Sequence, residues 1–417
     1  MAITPSRSLF KLRNELEKLI MTIGDKGIVR NRRRKRLRAI DLFSGCGGLT
    51  LGLKQAGFDV LGAVEIHSAA VRTYKANHRR VLVKHADIRK VSARALRREL
   101  KIRRGELDLL AGCPPCQGFS TLRTRNGANK NRDNRNSLIH QMLRFTKAFR
   151  PKAIMMENVP RLVGHKLFAN LCNGLQKLGY HLTFDIKDAA NYGVPQRRRR
   201  LILVAGRGFE INFAEEAHRR RSVHGAIGRM TEPGRSRDAL HNLPEKKRAK
   251  RISNLIRDIP KDGGSRSDLP KSRQLACHKR SDGFGDIYGR MAWNDVAPTM
   301  TSGCFNPSKG RFLHPEKNRA ITMREAALLQ SFPRDYFFDL SCGKEAIALM
   351  IGNALPPEFV RRHALEVRRA LEERKSRERR RYGRHVFAQA AIGNHVKGKK
   401  PGKRRDRVAP GRHPARV

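Results

Sequence analysis

Negative charge is scarce in this chain: its 417 residues hold 37 Asp and Glu against 90 Lys and Arg, a formal net charge of +53. A surface of that sign points to a polyanionic partner such as nucleic acid. Aromatic residues make up only 6%, with a single tryptophan. Long apolar runs are missing too, since no stretch of about 18 apolar residues occurs, which argues against a membrane-spanning helix. The opening segment MAITPSRSLFKLRNELEKLI lacks an apolar central region and a small-residue cleavage site, so a secretory signal is not expected. Cysteine is sparse: Cys46, Cys113, Cys116, Cys172, Cys277, Cys304 and Cys342 are odd in number and scattered, the pattern of reduced thiols in a cytoplasm.

What is abundant is positive charge, and it is unevenly placed. Residues 1–38 carry 12 Lys and Arg against 3 Asp and Glu, and residues 361–417 carry 20 against 5. Both ends read as basic arms, and beyond Gly393 almost nothing apolar remains to pack. A solvated tail without a role is one reading; a sequence-independent phosphate clamp is the other.

Between the arms, short β-branched or apolar runs alternate with helical patterns from Leu37 to Gly206, the signature of βαβ units and a parallel sheet. Strands are expected near 38–43, 60–65, 81–86, 107–112, 153–157, 182–187 and 199–205, and helices near 49–57, 68–77, 91–100, 136–149 and 163–178. The last two strands are separated only by residues 188–198, too few for a helical crossover, so they should pair antiparallel at the sheet edge. From Phe209 to Arg290 the periodicity breaks down into a basic stretch punctuated by Pro233, Pro260 and Gly263-Gly264. Helical periodicity returns over 322–330, 345–351 and 357–371. The expected division is a basic arm over 1–36, a catalytic and cofactor-binding part over 37–208, a small irregular unit over 209–290, a return to the first part over 291–365, and a disordered basic tail over 366–417.

Three segments carry chemistry. The first strand runs into Ser44-Gly45-Cys46-Gly47-Gly48 and then a helix, the strand, tight turn and helix start that nucleotide-like cofactors use, although a merely structural turn stays open. The next strand ends in Glu65, where a carboxylate can accept both hydroxyls of a ribose, and Asp87, after the third strand, can accept from an adenine amine. No second phosphate-binding group accompanies the turn, so a cofactor with ribose and adenine but no pyrophosphate fits better than a dinucleotide. Next, Ala111-Gly112-Cys113-Pro114-Pro115-Cys116 puts a proline-stiffened thiol at the carboxyl end of the fourth strand, where such sheets carry their sites. A redox pair or a zinc pair would also use two cysteines, but no further ligands stand at matching spacing; a nucleophilic thiolate is the stronger reading. Last, Glu157 ends the apolar fifth strand, costly there without a partner or a task. Pro195-Gln196-Arg197-Arg198-Arg199-Arg200 precedes the final strand, and strand alternation sends Arg198 and Arg200 to one face and Arg197 and Arg199 to the other.

DLFSGCGGL, AGCPPCQGFS, MMENVPRL, GVPQRRRRL and IGNALPP occur together and in this order. Over roughly residues 37–365 the chain resembles the C5-cytosine DNA methyltransferases of bacterial type. The resemblance implies an α/β fold: a class I, Rossmann-like, S-adenosylmethionine-dependent methyltransferase sheet with a small irregular target-recognition domain at 209–290. It implies Cys116 as nucleophile, Glu157 as acid, Arg198 and Arg200 at the cytosine pocket, and Gln196 as a substrate-binding residue. Phe43, Gly45, Gly47, Glu65, Asp87, Pro115 and Asn353 would bind S-adenosylmethionine, and no metal is implied. Duplex DNA is the implied partner, read by residues such as Arg266, Ser267, Lys279 and Arg280, with a companion restriction or repair endonuclease and a monomeric, cytoplasmic enzyme as further expectations. A tRNA cytosine methyltransferase, or a catalytically silent DNA-binding relative, are the alternatives; the second would be marked by loss of Cys116 or Glu157, and both are present.

Overall fold

The computed structural model describes residues 36–115, 138–245, 247–275 and 285–396, with side chains to Arg380. Seven strands, β1 (Leu37–Leu42), β2 (Phe58–Glu65), β3 (Leu82–His85), β4 (Leu109–Gly112), β5 (Ala153–Asn158), β6 (Tyr180–Asp188) and β7 (Arg199–Arg207), form one sheet in the order β3-β2-β1-β4-β5-β7-β6. The first five run parallel. β7 lies antiparallel between β5 and β6, as the short connection requires. The strands expected from sequence are all found, with ends shifted by no more than two residues.

Helices cover both faces, which is why the central strands read as nearly continuous apolar runs. On one face, Ala39, Val60, Leu109, Met155 and Val204 pack against α1 (Gly48–Gln55) and the C-terminal helix. α2 (Ser68–Asn77) adds Tyr74 to this first core, and on the other face Ile40, Leu110, Ile154 and Leu203 meet α3 (Ala93–Glu99), α4 (Ile139–Phe149) and α5 (Lys166–Lys177), which supply Leu96, Phe145, Phe149, Phe168 and Leu171.

The region after β7 does not stand apart as a unit. Ile211 joins the first core, and α6 (Val223–Ile227) with Leu240 packs into a third core built mainly by α8 (Met323–Leu329) and α9 (Lys344–Asn353). A small cluster of its own remains at Leu255, Ile256, Ile259 and Leu269, around α7 (Lys250–Asp258) and capped by Leu313. Beside it the fully buried Arg290 donates to the carbonyls of Ile256, Ile259, His314 and Lys317 and to Asn318 Oδ1, binding this region to the returning segment.

The expected tail over 366–417 needs correction. α10 runs Pro357–Val396, and Val367 and Leu371 are buried with Phe359, Val360 and Ala364. Burying a side chain of Val, Leu or Phe size is worth about 1.5–3 kcal/mol, which holds the basic helix against the sheet as far as Leu371. Residues 1–35 and 397–417 lie outside the described residues.

Three histidines are buried without charge. Burial lowers His78 and His314 to about 4, and His363, caged by Tyr192, Phe213 and Phe359, to about 3. Their folded values lie below the unfolded value of about 6.5, so stability is full above pH 6.5 and declines as the pH falls towards 4, where only the unfolded chain takes up these protons. Urea midpoints should therefore be lower at pH 5 than at pH 7. His363→Phe should narrow that gap; an unchanged gap would show that His363 takes no part in it.

Candidate active site

The carboxyl ends of β1, β2, β4 and β5 converge with the amino end of β7, and the candidate residues sit on that rim. At β1 the chain turns sharply: Phe43 (φ 62°), Gly45 (φ 54°) and Gly47 (φ 100°) all take left-handed backbone. For Phe43 this conformation is unfavourable, and such strain gathers at functional turns. A side chain on Gly45 would find nothing within 4 Å, so the space above it is open. Below, a Cβ on Gly47 would lie 2.6 Å from His78 and 2.7 Å from the Tyr336 hydroxyl. These two residues form the floor of the turn. Tyr336 Oη donates to the Cys46 carbonyl at 2.6 Å, and His78 Nε2 lies 3.3 Å from the Gly47 carbonyl. A carbonyl only accepts, so the proton is on Nε2, leaving Nδ1 to accept from Lys54 at 3.4 Å.

Glu65 closes the turn from the side. Its Oε2 accepts from Gly45 N at 2.8 Å and its Oε1 from Ile66 N and His67 N at 2.9 and 2.8 Å. A carboxylate offers about four lone-pair positions, so one remains on Oε2; taking both hydroxyls of a ribose would require an amide to let go. Ile66 is 52% exposed directly beyond it and offers an apolar platform that sequence reading passed over. Its signal was an aliphatic residue placed just after the strand's terminal acid. Asp87 accepts from Arg89 N and from the Arg89 guanidinium, which holds its carboxyl below the usual range. Asp41, fully buried under the turn, accepts from Thr50 Oγ1 at 2.7 Å, has no partner on Oδ1, and is lifted by burial to about 7.

At β4 and β5 the register places Gly112 opposite Met156, so Cys113 comes beside Glu157. Burial, then the charges of Glu157 and Asp41, pushes the Cys113 thiol well above its ordinary value. It stays protonated, a poor nucleophile and a poor half of a redox pair. Asn158, another residue missed from sequence, donates Nδ2 to the Pro114 carbonyl at 3.0 Å and accepts from Val159 N at 2.8 Å, fixing the proline turn to β5. Pro115 is the last described residue of that turn, and Cys116 lies outside the described residues.

Glu157 is paired: its Oε1 accepts from Arg200 Nε at 2.9 Å, with the carboxyl side chain 11% exposed. Arg198 shares that face, while Arg197 and Arg199 point to solvent, as strand alternation requires. The Arg198 guanidinium donates to the carbonyls of Met300 at 3.2 Å and Gly352 at 3.1 Å, and its Nε has no partner. Gly352 is obligatory, because a Cβ there would sit 2.4 Å from the Thr301 backbone. Asn353 follows it, exposed at the end of α9.

Two expectations are corrected. Gln196 does not face a substrate. It is fully buried, its amide donating to Leu329 O and Gln330 Oε1 and its carbonyl accepting from Met300 N at 2.8 Å. With every polar atom already satisfied inside the protein it is a structural clamp. Its partner Gln330, also fully buried, donates on to the carbonyls of Ile351 and Ala354. Arg266 is 6% exposed and cannot be offered to a base edge, whereas Ser267 is exposed. Lys279 and Arg280 lie outside the described residues, and no group of three or more potential metal ligands is found among the described ones.

The rim therefore unites a carboxyl, two guanidiniums, a proline-stiffened turn entering a cysteine, and an open pocket over a glycine turn. Residues 37–369 match the C-5 cytosine-specific DNA methylase family. The chain belongs to that family. Type II methylase M.HgiDII of Herpetosiphon aurantiacus is 35% identical over 359 residues, covering 82% of this chain and 97% of the relative. Type II methyltransferase M1.HphI of Haemophilus parahaemolyticus is 34% identical, covering 77% and 84%. The crystal structure of S. pombe Dnmt2 methyltransferase superposes with a TM-score of 0.53 over 81% of this chain and 99% of its own, at 20% identity, which speaks to the fold. The chain is thus a DNA (cytosine-5-)-methyltransferase on an α/β sheet, with relatives in restriction-modification systems.

As a C-5 cytosine methylase it depends on the Gln196 clamp for its shape. Gln196→Ala leaves Met300 N and Gln330 Oε1 without these partners, and each orphaned buried group costs about 1–3 kcal/mol. The variant should lose about 2–5 kcal/mol in urea unfolding. A fully stable variant that has merely lost affinity for DNA would return Gln196 to the substrate surface.

Proposed function

We propose that this methyltransferase moves a methyl group from S-adenosylmethionine to C5 of a cytosine flipped out of a specific duplex sequence, through a covalent bond between Cys116 and C6. The observation that carries the reading is the grouping of Glu157, Arg200 and Arg198 on the rim beside the Cys113-Pro114-Pro115 turn, which Cys116 follows in the sequence.

The residues around the glycine turn fit the methyl donor. Open space lies over Gly45, Glu65 Oε2 keeps a lone pair for a ribose hydroxyl, and Ile66 presents an apolar face suited to an adenine ring. Phe43, Gly47, Asp87, Pro115 and Asn353 border or brace the same pocket in this reading. S-adenosylmethionine supplies an electrophilic methyl group there. Asp41 Oδ1, buried and unpartnered under the turn, leaves a polar oxygen free there, although burial favours its neutral form.

Cytosine C5 is too weakly nucleophilic to take a methyl group unaided. Addition of the Cys116 thiolate at C6 makes an enamine whose electron density lies at C5. Glu157, once it carries a proton in place of its pairing with Arg200, hydrogen-bonds N3 as this forms, and the Arg200 guanidinium holds the base carbonyl while the buried Arg198 braces the strand behind it. Burial and the charge of Arg200 draw Arg198 down to about 9, so it is still a cation at neutral pH. Once C5 carries the methyl group, a base removes the C5 proton, and β-elimination expels the Cys116 sulfur. Extruding the base costs a few kcal/mol, offset by contacts in the basic cleft.

Sequence choice then falls to residues 209–290, Ser267 among them. Action on chromosomal DNA in a bacterial cytoplasm beside a companion endonuclease, as a monomer, completes the proposal. Among the described residues no helix is long and apolar enough to cross a membrane.

Cys116→Ser should abolish methyl transfer, whereas Cys113→Ala should keep it. Duplex carrying 5-fluorocytosine at the target should form a denaturation-resistant complex with the wild type and none with Cys116→Ser. Methyl transfer by the Cys116 variant would end the mechanism.

A further inference from the structure

Away from the catalytic rim, at the opposite ends of the same strands, the protein carries a concentration of arginine that the reaction does not use. β1 begins at Leu37, β4 at Leu109 and β5 at Ala153, while antiparallel β7 ends at Arg207, with Ala153 opposite Gly206. Arg104, Arg150, Arg207 and Arg374 meet there. Gly105 N donates to the Phe149 carbonyl at 2.8 Å, setting Arg104 next to Arg150. A Cβ on Gly105 would lie 3.6 Å from the Arg207 guanidinium. Arg374 donates to the Arg207 carbonyl at 2.8 Å and lies over the Phe209 ring at 5.1 Å. Arg150 donates to the Leu178 carbonyl at 3.0 Å while holding left-handed backbone (φ 49°) at the end of α4, a position that ordinarily suits glycine. Tyr180 stands among them, its hydroxyl donating to Pro151 O at 2.5 Å.

The carboxylates of this pole are already taken. Glu106 pairs with Arg38 at 2.7 Å and accepts from Arg103 N at 2.9 Å. Asp108 accepts from Lys152 Nζ at 2.7 Å and Arg38 N at 2.8 Å, and Glu378 pairs with Arg374. Among the described residues no carboxylate forms an ion pair with Arg104, Arg150 or Arg207. Arg36, Arg103 and Arg104 are exposed beside them, and Lys375 is partly so. Gathering like charges destabilises a fold unless a polyanion offsets them. The basic run Arg32-Arg33-Arg34-Lys35-Arg36 leads directly into this pole, and α10 passes it at Arg374 and Lys375 before the Lys- and Arg-rich 397–407 sequence.

We propose that this pole is a second binding surface for the sugar-phosphate backbone of DNA, separate from the methylating cleft. β5 alone, at about 3.3 Å per residue, puts roughly 16–20 Å between the two ends. Duplex DNA is stiff on that scale and bending it is costly, so a short target duplex in the cleft does not reach the far pole. The occupant is a different stretch of DNA, either a second molecule or a distant part of the same one. Guanidiniums held by backbone carbonyls present phosphate-binding forks without reading bases, so binding here is independent of sequence. The inference rests on the reading of the rim as the methylating site, and the experiment keeps the two apart.

The full chain is given a donor-labelled short duplex containing the methylated sequence and an acceptor-labelled 30-base-pair duplex lacking it. Energy transfer between them reports bridging, and methylation of the short duplex is measured in parallel. A circularised long duplex carrying both labels separates binding within one molecule from binding between two. Two variants are compared: Arg104→Gln/Arg150→Gln/Arg207→Gln, and Arg103→Glu/Arg104→Glu, which alters exposed side chains only. Wild type should bridge. Both variants should bind the second duplex at least tenfold more weakly, and the triple variant should lower the slope of log affinity against log salt by about 2 to 3. Methylation of the short duplex should stay within twofold in both. Absence of bridging by an active wild type, bridging that survives in both variants, or displacement of the second duplex by polyglutamate at equal charge would overturn the proposal. A wild type that bridges but methylates nothing would instead overturn the reading of the rim.

Discussion

A buried cation held by carbonyls organises this enzyme. Arg198, 3% exposed, grips Met300 O and Gly352 O, while Gln196 two residues earlier grips Met300 N, Leu329 O and Gln330. Gln330 in turn reaches Ile351 and Ala354. Segments about 100 to 150 residues apart thereby meet at the mouth of β7. Taking a guanidinium out of water costs several kcal/mol, and that cost is met only because the geometry offers it carbonyls at hydrogen-bonding distance. The same arrangement sets Arg200 on the cleft face against Glu157, so the clasp and the acid site share one stretch of chain.

The second constraint is the turn after β1. Its carbonyls at Cys46 and Gly47 are engaged from below by Tyr336 and His78, contributed by distant parts of the chain. Glu65 ties the turn sideways to β2. A turn braced from two directions is preorganised for a ligand, which spares binding energy for the chemical step. Both ligand pockets thus depend on the third core, in which Cys46, Phe332 and Tyr336 pack with α8 and α9.

Much of this was legible in the sequence, because apolar periodicity reports burial directly. The strands, the parallel order implied by alternation, and the antiparallel edge pair all follow from it, as does the split of Arg198 and Arg200 from their neighbours. Polar residues were harder, because a buried clamp and a substrate ligand use the same chemistry. Gln196 was read as a ligand but is consumed by Gln330, a partner 134 positions away that no local pattern reveals. Arg266 was read as a DNA-reading residue for the same reason. Charge density misled the reading just after residue 365: Val367 and Leu371 continue the buried stripe of Phe359, Val360 and Ala364 that holds this part of α10 to the sheet. Asn158 and Tyr336 act through backbone carbonyls, contacts that leave no spacing signature.

Bisulfite sequencing of plasmid DNA from cells expressing the protein tests the central claim most directly. The account predicts that cytosines within one short recurring duplex sequence resist conversion, and that all cytosines convert when the Cys116→Ser variant is expressed. Complete conversion with an expressed, folded wild type, or protection that persists with the Cys116 variant, would contradict it.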